Sequence, residues 1–300
     1  MDTYMADDLP FSGSPVVPQM CDGNKTIRFQ CRKGIACWNT CCSNIDISLT
    51  PYDILRLKQR LDILSGEFLQ QYTVPYEMEQ GGIAGVKLRS VDNGTACRFM
   101  TAEGCSVYED RPTACRYYPV ALLSMRRQDE YTDIRSYALV KEEHCLGHNE
   151  AREIIIDEYR REQGVEEYDE LARGWRQLIL KKKSSGPGVG KPSKSSLQLF
   201  FMVCYDLDRF RSFAVSKGFN ELYDLDKEES VEILGDDTRL MLFGFRFLKQ
   251  ALFGENTIPL KKEAATKRME RYREKLQRME QEAVERRVAE QDEMYEGPVD

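Results

Sequence analysis

Eight of the ten cysteines fall between Cys31 and Cys145: Cys31, Cys37, the adjacent Cys41 and Cys42, Cys97, Cys105, Cys115 and Cys145. The chain's two histidines, His144 and His148, flank the last of these. Thiols at this density can hold a metal ion or an iron–sulfur cluster, close disulfides, or cycle as redox groups. A chain of 300 residues buries a core that needs no covalent staples, which weighs against disulfides. Energetics point the same way: a structural metal site contributes about 10–16 kcal/mol of apparent folding free energy, and one disulfide typically about 2–4 kcal/mol. All eight cysteines are therefore candidate metal ligands.

Spacing narrows the chemistry. No Cys-x-x-Cys occurs, which argues against a zinc ribbon, a RING finger and a thioredoxin-type pair. Cys37 and Cys41 open like the loop of a radical enzyme, but the third thiol position holds Asn44. Neighbouring side chains usually diverge, so Cys41 and Cys42 are awkward partners on one tetrahedral ion; they could serve two metals or leave one thiol aside. Four thiolates around Zn²⁺ or a [4Fe–4S]²⁺ cluster leave a net charge of about −2, which calls for nearby donors or cations. Arg32, Lys33, Arg98, Arg111 and Arg116 stand close in sequence to cysteines and either meet that need or are ordinary surface bases. The expected cofactor is an iron–sulfur cluster of the [4Fe–4S] type, with zinc as the alternative. Cys204, among Phe200, Phe201, Val203 and Leu207, reads as a small core residue. Cys21 is left outside the ligand set, and surface or outer roles are favoured for His144 and His148 over direct ligation.

The elements that must position these thiols form an expected α+β, mostly helical fold. It comprises an irregular cysteine-cluster lobe with a short hairpin, a helical C-terminal lobe and a long charged C-terminal helix. Residues 1–27 read as a flexible tail, 28–150 as the metal-binding domain, 151–183 as a helical extension, 184–196 as a linker, 197–254 as the helical lobe and 261–296 as the charged helix. Thr50-Pro51-Tyr52-Asp53 predicts a capped helix start, with Ile54, Leu57, Leu61 and Leu64 as its buried stripe. Alternation over 86–91 followed by Asp92-Asn93-Gly94 predicts a hairpin, with Cys97 at or just past a strand. Asp110-Arg111-Pro112 opens a helical turn that Pro119 ends, with Cys115 inside it. The helix after Ala151 should break at Gly164, and Gly254 should cap the apolar helix that ends at Phe253. The glycine-rich run before Lys191 is no phosphate loop, because Pro192 stands where Ser or Thr would be needed.

Phe29 with Cys31, Cys37 and Cys41-Cys42, then Leu49-Thr50-Pro51 with Asp53-Ile54 and Arg56-Leu57, and above all Cys105-Ser106-Val107-Tyr108-Glu109-Asp110-Arg111-Pro112 with Cys115-Arg116 and Tyr118-Pro119, resemble the YkgJ-like cysteine-cluster family of zinc- or iron-chelating domains. Flagellin lysine-N-methylases resemble the same group. The resemblance covers about residues 29–150. The first block is more open than the family's CxxCxxCC form, with five residues between Cys31 and Cys37 and three before Cys41. It implies metal chelation and, for some members, methyl transfer from S-adenosylmethionine to protein lysines.

Two function classes follow: an accessory metal or iron–sulfur protein, favoured, and a cluster-containing lysine methylase. A net charge of −7 gives no electrostatic footprint for nucleic acid, and no apolar run is long enough to span a membrane. No signal peptide is visible, so a cytoplasmic location is expected. The thin stripe Met269, Tyr272, Leu276 and Met279 on the charged helix is the candidate surface for a protein partner.

Overall fold

The structure, a computed structural model, describes residues 16–78, 82–126, 133–184, 192–264 and, beyond these, 266, 270, 273, 274, 277 and 281. Strands β1 (Val16–Cys21) and β2 (Thr26–Arg28) open it; β3 (Ser48–Leu49), α1 (Pro51–Leu61) and α2 (Ser65–Tyr72) follow the first cysteine block. Next come β4 (Thr73–Met78), β5 (Ile83–Leu88), β6 (Met100–Thr101), β7 (Gly104–Cys105), the short helix α3 (Thr113–Tyr117), β8 (Val120–Arg126), β9 (Asp133–Val140) and β10 (Glu153–Ile155). The rest is helical: α4 (Ile156–Glu162), α5 (Val165–Ser184), α6 (Lys194–Tyr205), α7 (Leu207–Ala214), α8 (Lys217–Leu222), α9 (Lys227–Gly235) and α10 (Asp237–Phe253). The strands make small antiparallel sheets, ordered β1-β9-β8, β3-β5-β4, β10-β2 and β6-β7. The fold is α+β and mostly helical, as expected. Among the described residues no helix is long and apolar enough to cross a membrane.

Local signals explain α1. The Thr50 hydroxyl accepts the Asp53 N–H at 3.1 Å, and Asp53 Oδ2 accepts the Thr50 N–H at 2.7 Å, a reciprocal cap. Ile54 and Leu57 are buried as predicted. Leu64 is not: Asp62 turns left-handed at φ 54° and ends the helix, so Leu64 lies past it and is 64% exposed. The alternation at 86–91 belongs largely to β5, the central strand of its sheet, and Asp92-Asn93-Gly94 closes a smaller ladder in which Ser90 bridges Cys97.

Two cores result. The first combines Leu57, Phe68 and Val86 from the cysteine region with Val203, Phe210 and Leu240 from the later helices. The helices read as a separate lobe thus share a core with α1 and β5. The second packs Ile27, Phe29, Tyr117, Tyr137, Ile156 and Tyr159.

Three expectations change. Part of the tail is ordered: β1 pairs with β9, and β2 pairs with β10. The extension begins as that strand β10 and becomes helical only at Ile156. The apolar run 197–214 divides at Asp206, whose carboxylate caps α7. Gly164, at φ 64°, separates α4 from α5 as predicted, and Gly254 caps α10. Linker residues 185–191 and the Met269, Tyr272, Leu276 and Met279 stripe lie outside the described residues.

Candidate metal centre

The first cysteine block is shaped by a tight turn. Asn39 adopts φ 65°, and Thr40–Cys42 follow as one turn of 3₁₀ helix, with the Cys42 N–H bonded to Asn39 O at 2.9 Å. Asn39 Nδ2 donates to Thr101 O at 2.9 Å and ties the turn to β6. Side chains alternate across an extended strand, but in a 3₁₀ turn they advance by about a third of a revolution, so neighbours can share a side. The Cys41 and Cys42 sulfurs accordingly lie 4.0 Å apart, in hydrogen-bonding contact, rather than diverging as the sequence suggested.

Cys97 is brought to this turn by backbone pairing. Its N–H donates to Cys42 O at 2.7 Å, and the Ile45 N–H donates to Thr95 O at 3.0 Å. The Phe99 N–H donates to Cys97 Sγ at 3.4 Å. Cys105 stands on β7 opposite Met100, whose N–H bonds Cys97 O at 3.1 Å. Cys115 sits on α3, which is fastened at both ends. At one end the Thr113 N–H and hydroxyl both donate to Asp53 Oδ1, at 2.8 and 2.7 Å. At the other, the Tyr117 hydroxyl donates to Asp169 Oδ2 at 2.5 Å, and Arg160 donates to the same oxygen at 2.7 Å in a buried ion pair. α3 therefore bridges the two cores.

Cys37 and Cys145 meet through a different scaffold. The Leu146 N–H, next to Cys145, donates to Cys37 Sγ at 3.3 Å. The Gln30 N–H, next to Cys31, donates to Gly147 O at 3.1 Å. Only glycine fits at 147, since a Cβ there would lie 2.7 Å from the Phe29 ring and 3.1 Å from Gln30 O.

Electrostatics join the thiols. Burial, then Cys41, Cys37 and Cys145, push Cys31 up to about 11. The hydrogen bond from Cys42 lowers Cys41 to about 7, and the same bond, burial and the neighbouring Cys41, Cys97 and Cys115 raise Cys42. Burial and nearby thiols also raise Cys97, Cys105 and Cys115. The raised thiols, Cys31, Cys42, Cys97, Cys105 and Cys115, stay protonated until a cation supplies positive charge, which is the environment a thiolate-ligated metal exploits. Soft thiolates select zinc and iron–sulfur centres, so the donor chemistry fits such a group. Among the described residues no three donor side chains converge on a single ion-sized point.

The bases divide. Arg32 pairs with Glu150, Lys33 with Glu103 and Arg98 with Asp92, the surface alternative. Arg111 lowers the charge cost at Cys105. Arg116 is a buried strut: it lies 4.2 Å over the Tyr168 ring and donates to the carbonyls of Arg111 at 3.1 Å and Gln163 at 2.8 Å. His148 Nε2 donates to Val140 O at 3.0 Å, and His144 lies 3.5 Å from Glu142. Cys204 is buried in the first core on α6, and Cys21 packs against the second core. Sequence reasoning missed Asp53 as a partner of α3 and Glu142 as a neighbour of Cys41; the capping motif at Thr50 was the one local signal for Asp53.

Thiols from a turn, a short ladder and a helix are thus gathered beside the two cores. Residues 30–146 match the model of the CxxCxxCC family, described as "Putative zinc- or iron-chelating domain", a segment that holds all eight clustered cysteines. The match covers this segment alone and is to the kind of cysteine-cluster family that the motifs resemble, whose description is of zinc or iron chelation. No curated protein and no solved structure matches the chain.

Proposed function

We propose that the protein carries an iron–sulfur centre of the [4Fe–4S] type, ligated from among Cys31, Cys37, Cys41, Cys42, Cys97, Cys105, Cys115 and Cys145, in an accessory rather than catalytic role. The observation that carries this is the gathering of sequence-distant thiols: the Cys41 and Cys42 sulfurs lie 4.0 Å apart, the Cys97 N–H donates to Cys42 O at 2.7 Å, and the Leu146 N–H beside Cys145 donates to Cys37 Sγ at 3.3 Å. When bound, the cluster would cross-link the turn, β7 and α3 and offer an electron-transfer centre. The chain's own part is to surrender thiol protons, to moderate charge at Cys105 through Arg111, and to hold Cys115 through Asp53 and Asp169. The reading fits a reducing compartment such as the cytoplasm and a protein partner on the charged segment 261–296, while the net charge of −7 disfavours nucleic acid.

Anaerobic purification with absorption spectroscopy and metal analysis tests this. Brown protein absorbing broadly near roughly 400 nm is expected of iron–sulfur chemistry. A colourless anaerobic preparation with stoichiometric zinc would overturn the cluster and keep chelation.

A further inference from the structure

We infer that Trp38 and Tyr118 are positioning residues of the metal site, their indole N–H and phenol O–H donating to thiolate sulfurs once metal is bound, Tyr118 at Cys145 and Trp38 beside Cys105. This rests on the chelation reading above.

Trp38 Nε1 and the Tyr118 hydroxyl are buried and have no hydrogen-bond partner among the described residues. A buried donor left unpaired has given up its hydrogen bonds to water and gained none, so a partner is expected in another state of the protein. Both donors stand beside the clustered cysteines. Tyr118 ends α3, the helix that carries Cys115. Backbone bonds bring it to the segment of Cys145: the Val140 N–H donates to Pro119 O at 2.7 Å, and the Cys145 N–H donates to Glu142 O at 2.9 Å. Tyr118 and Cys145 pack on the same core. Burial first, then the Cys145 thiol and the Glu142 carboxylate beside the hydroxyl, push Tyr118 up.

Trp38 follows Cys37, and its ring reaches β7. Its Cζ2 and Cε2 carbons, on the nitrogen edge of the indole, lie 3.1 and 4.0 Å from where a Cβ on Gly104 would sit, immediately before Cys105. Gly104 adopts φ 120°, which L side chains rarely do, and its bare Cα leaves room for the ring. The bond from Asn39 Nδ2 to Thr101 O, at 2.9 Å, holds the same two segments together.

The acceptor follows from the chemistry. A thiol accepts weakly, whereas a metal-bound thiolate keeps lone pairs and negative charge, and hydrogen bonds to ionised acceptors are about twice as strong as neutral ones. Backbone N–H groups already reach sulfur here, from Leu146 to Cys37 at 3.3 Å and from Phe99 to Cys97 at 3.4 Å. Trp38 and Tyr118 add side-chain donors where thiolate charge would otherwise go unmatched.

The test is zinc affinity of the full chain, prepared anaerobically and measured by competition with a chromophoric chelator, for wild type, Tyr118→Phe, Trp38→Phe and Trp175→Phe. Trp175 Nε1 is also buried and unpaired among the described residues, but its ring packs on the first core, so Trp175→Phe controls for lost ring size. Tyr118→Phe and Trp38→Phe should each lose about 10–100-fold in affinity, and Trp175→Phe none. The urea midpoint of metal-free Tyr118→Phe should not fall, because the hydroxyl it removes is unpaired there. Unchanged affinity in either variant overturns that residue's role, an equal loss in Trp175→Phe overturns both, and a lower metal-free midpoint in Tyr118→Phe makes its hydroxyl structural. A second measurement needs no variant to fold. The chain has two tryptophans, and on zinc addition the Trp38 indole proton resonance should move while that of Trp175 stays; a stationary Trp38 signal in zinc-loaded protein overturns its role. A chain that takes up neither zinc nor iron after anaerobic reconstitution would overturn the chelation reading itself, a different result from unchanged affinity.

Discussion

Asp53 and Thr113 are joined by two hydrogen bonds to one carboxylate oxygen, Asp53 Oδ1, which accepts the Thr113 N–H at 2.8 Å and its hydroxyl at 2.7 Å. The other oxygen accepts the Thr50 N–H at 2.7 Å, so one fully buried side chain caps α1 and anchors the first residue of α3. A local helix signal thereby sets the position of Cys115.

Asp53→Ala should cost about 2–4 kcal/mol, because it removes a cap and leaves buried donors at Thr50 and Thr113 without acceptors. It should also weaken metal retention, since α3 loses one of its two fastenings. Urea unfolding together with metal content checks both; unchanged metal retention would show that Tyr117 and Asp169 hold α3 unaided.

Cys115→Ser should lose metal, whereas Cys204→Ala should keep it at a stability cost of about 1 kcal/mol. Binding should release protons and tighten as pH rises, because Cys31, pushed to about 11, must lose its proton to ligate. Calorimetric zinc titrations in several buffers at pH 6, 7 and 8 measure this; affinity independent of pH would remove Cys31 and the other raised thiols from the ligand set.

Asp208 links α7 to the first core's helices. It is partly buried, which raises a carboxylate, but the Ser65 N–H at 2.7 Å and Lys58 at 3.2 Å hold it below the ordinary carboxylate range. A depressed folded pKa stabilises above the unfolded value near about 3.9, and that contribution is lost as pH falls through the folded value. Asp208→Asn should therefore destabilise at pH 7 by up to about 1 kcal/mol, discounted because the group is partly solvated. The gap between mutant and wild-type urea midpoints should shrink below pH 4; a constant gap would assign the loss to packing.

A chain ending at Gly254 should lose about 2–3 kcal/mol of stability, although the apolar helices are complete by Phe253. Ile258 is 3% exposed in the first core, its N–H donates to Gln250 Oε1 at 2.8 Å, and Leu260 bridges Tyr223. A chain ending at Thr266 keeps these contacts and should retain fold and metal, with any loss falling in association with a partner. Thermal unfolding and metal content of the two truncations separate these outcomes, and equal stability would deny Ile258 its role in the core.

The sequence by itself determined what is decided within a few residues. Thr50 and Asp53 fixed the start of α1, the prolines at 112 and 119 bounded the helix of Cys115, and glycines at 164 and 254 placed a break and a cap. It also marked the eight cysteines as one chemical population. Tertiary structure alone decided how they group. β1 lies against β9, β2 against β10, Cys42 beside Cys97 and Cys37 beside Leu146 because strands and turns this short are held by hydrogen bonds to distant segments. The pairing energy lies in those partners, and nothing in the residues of one strand names the other. For the same reason Asp53 read as a cap for α1, while its second oxygen's partner, sixty residues away, appeared only once the two helices were packed together.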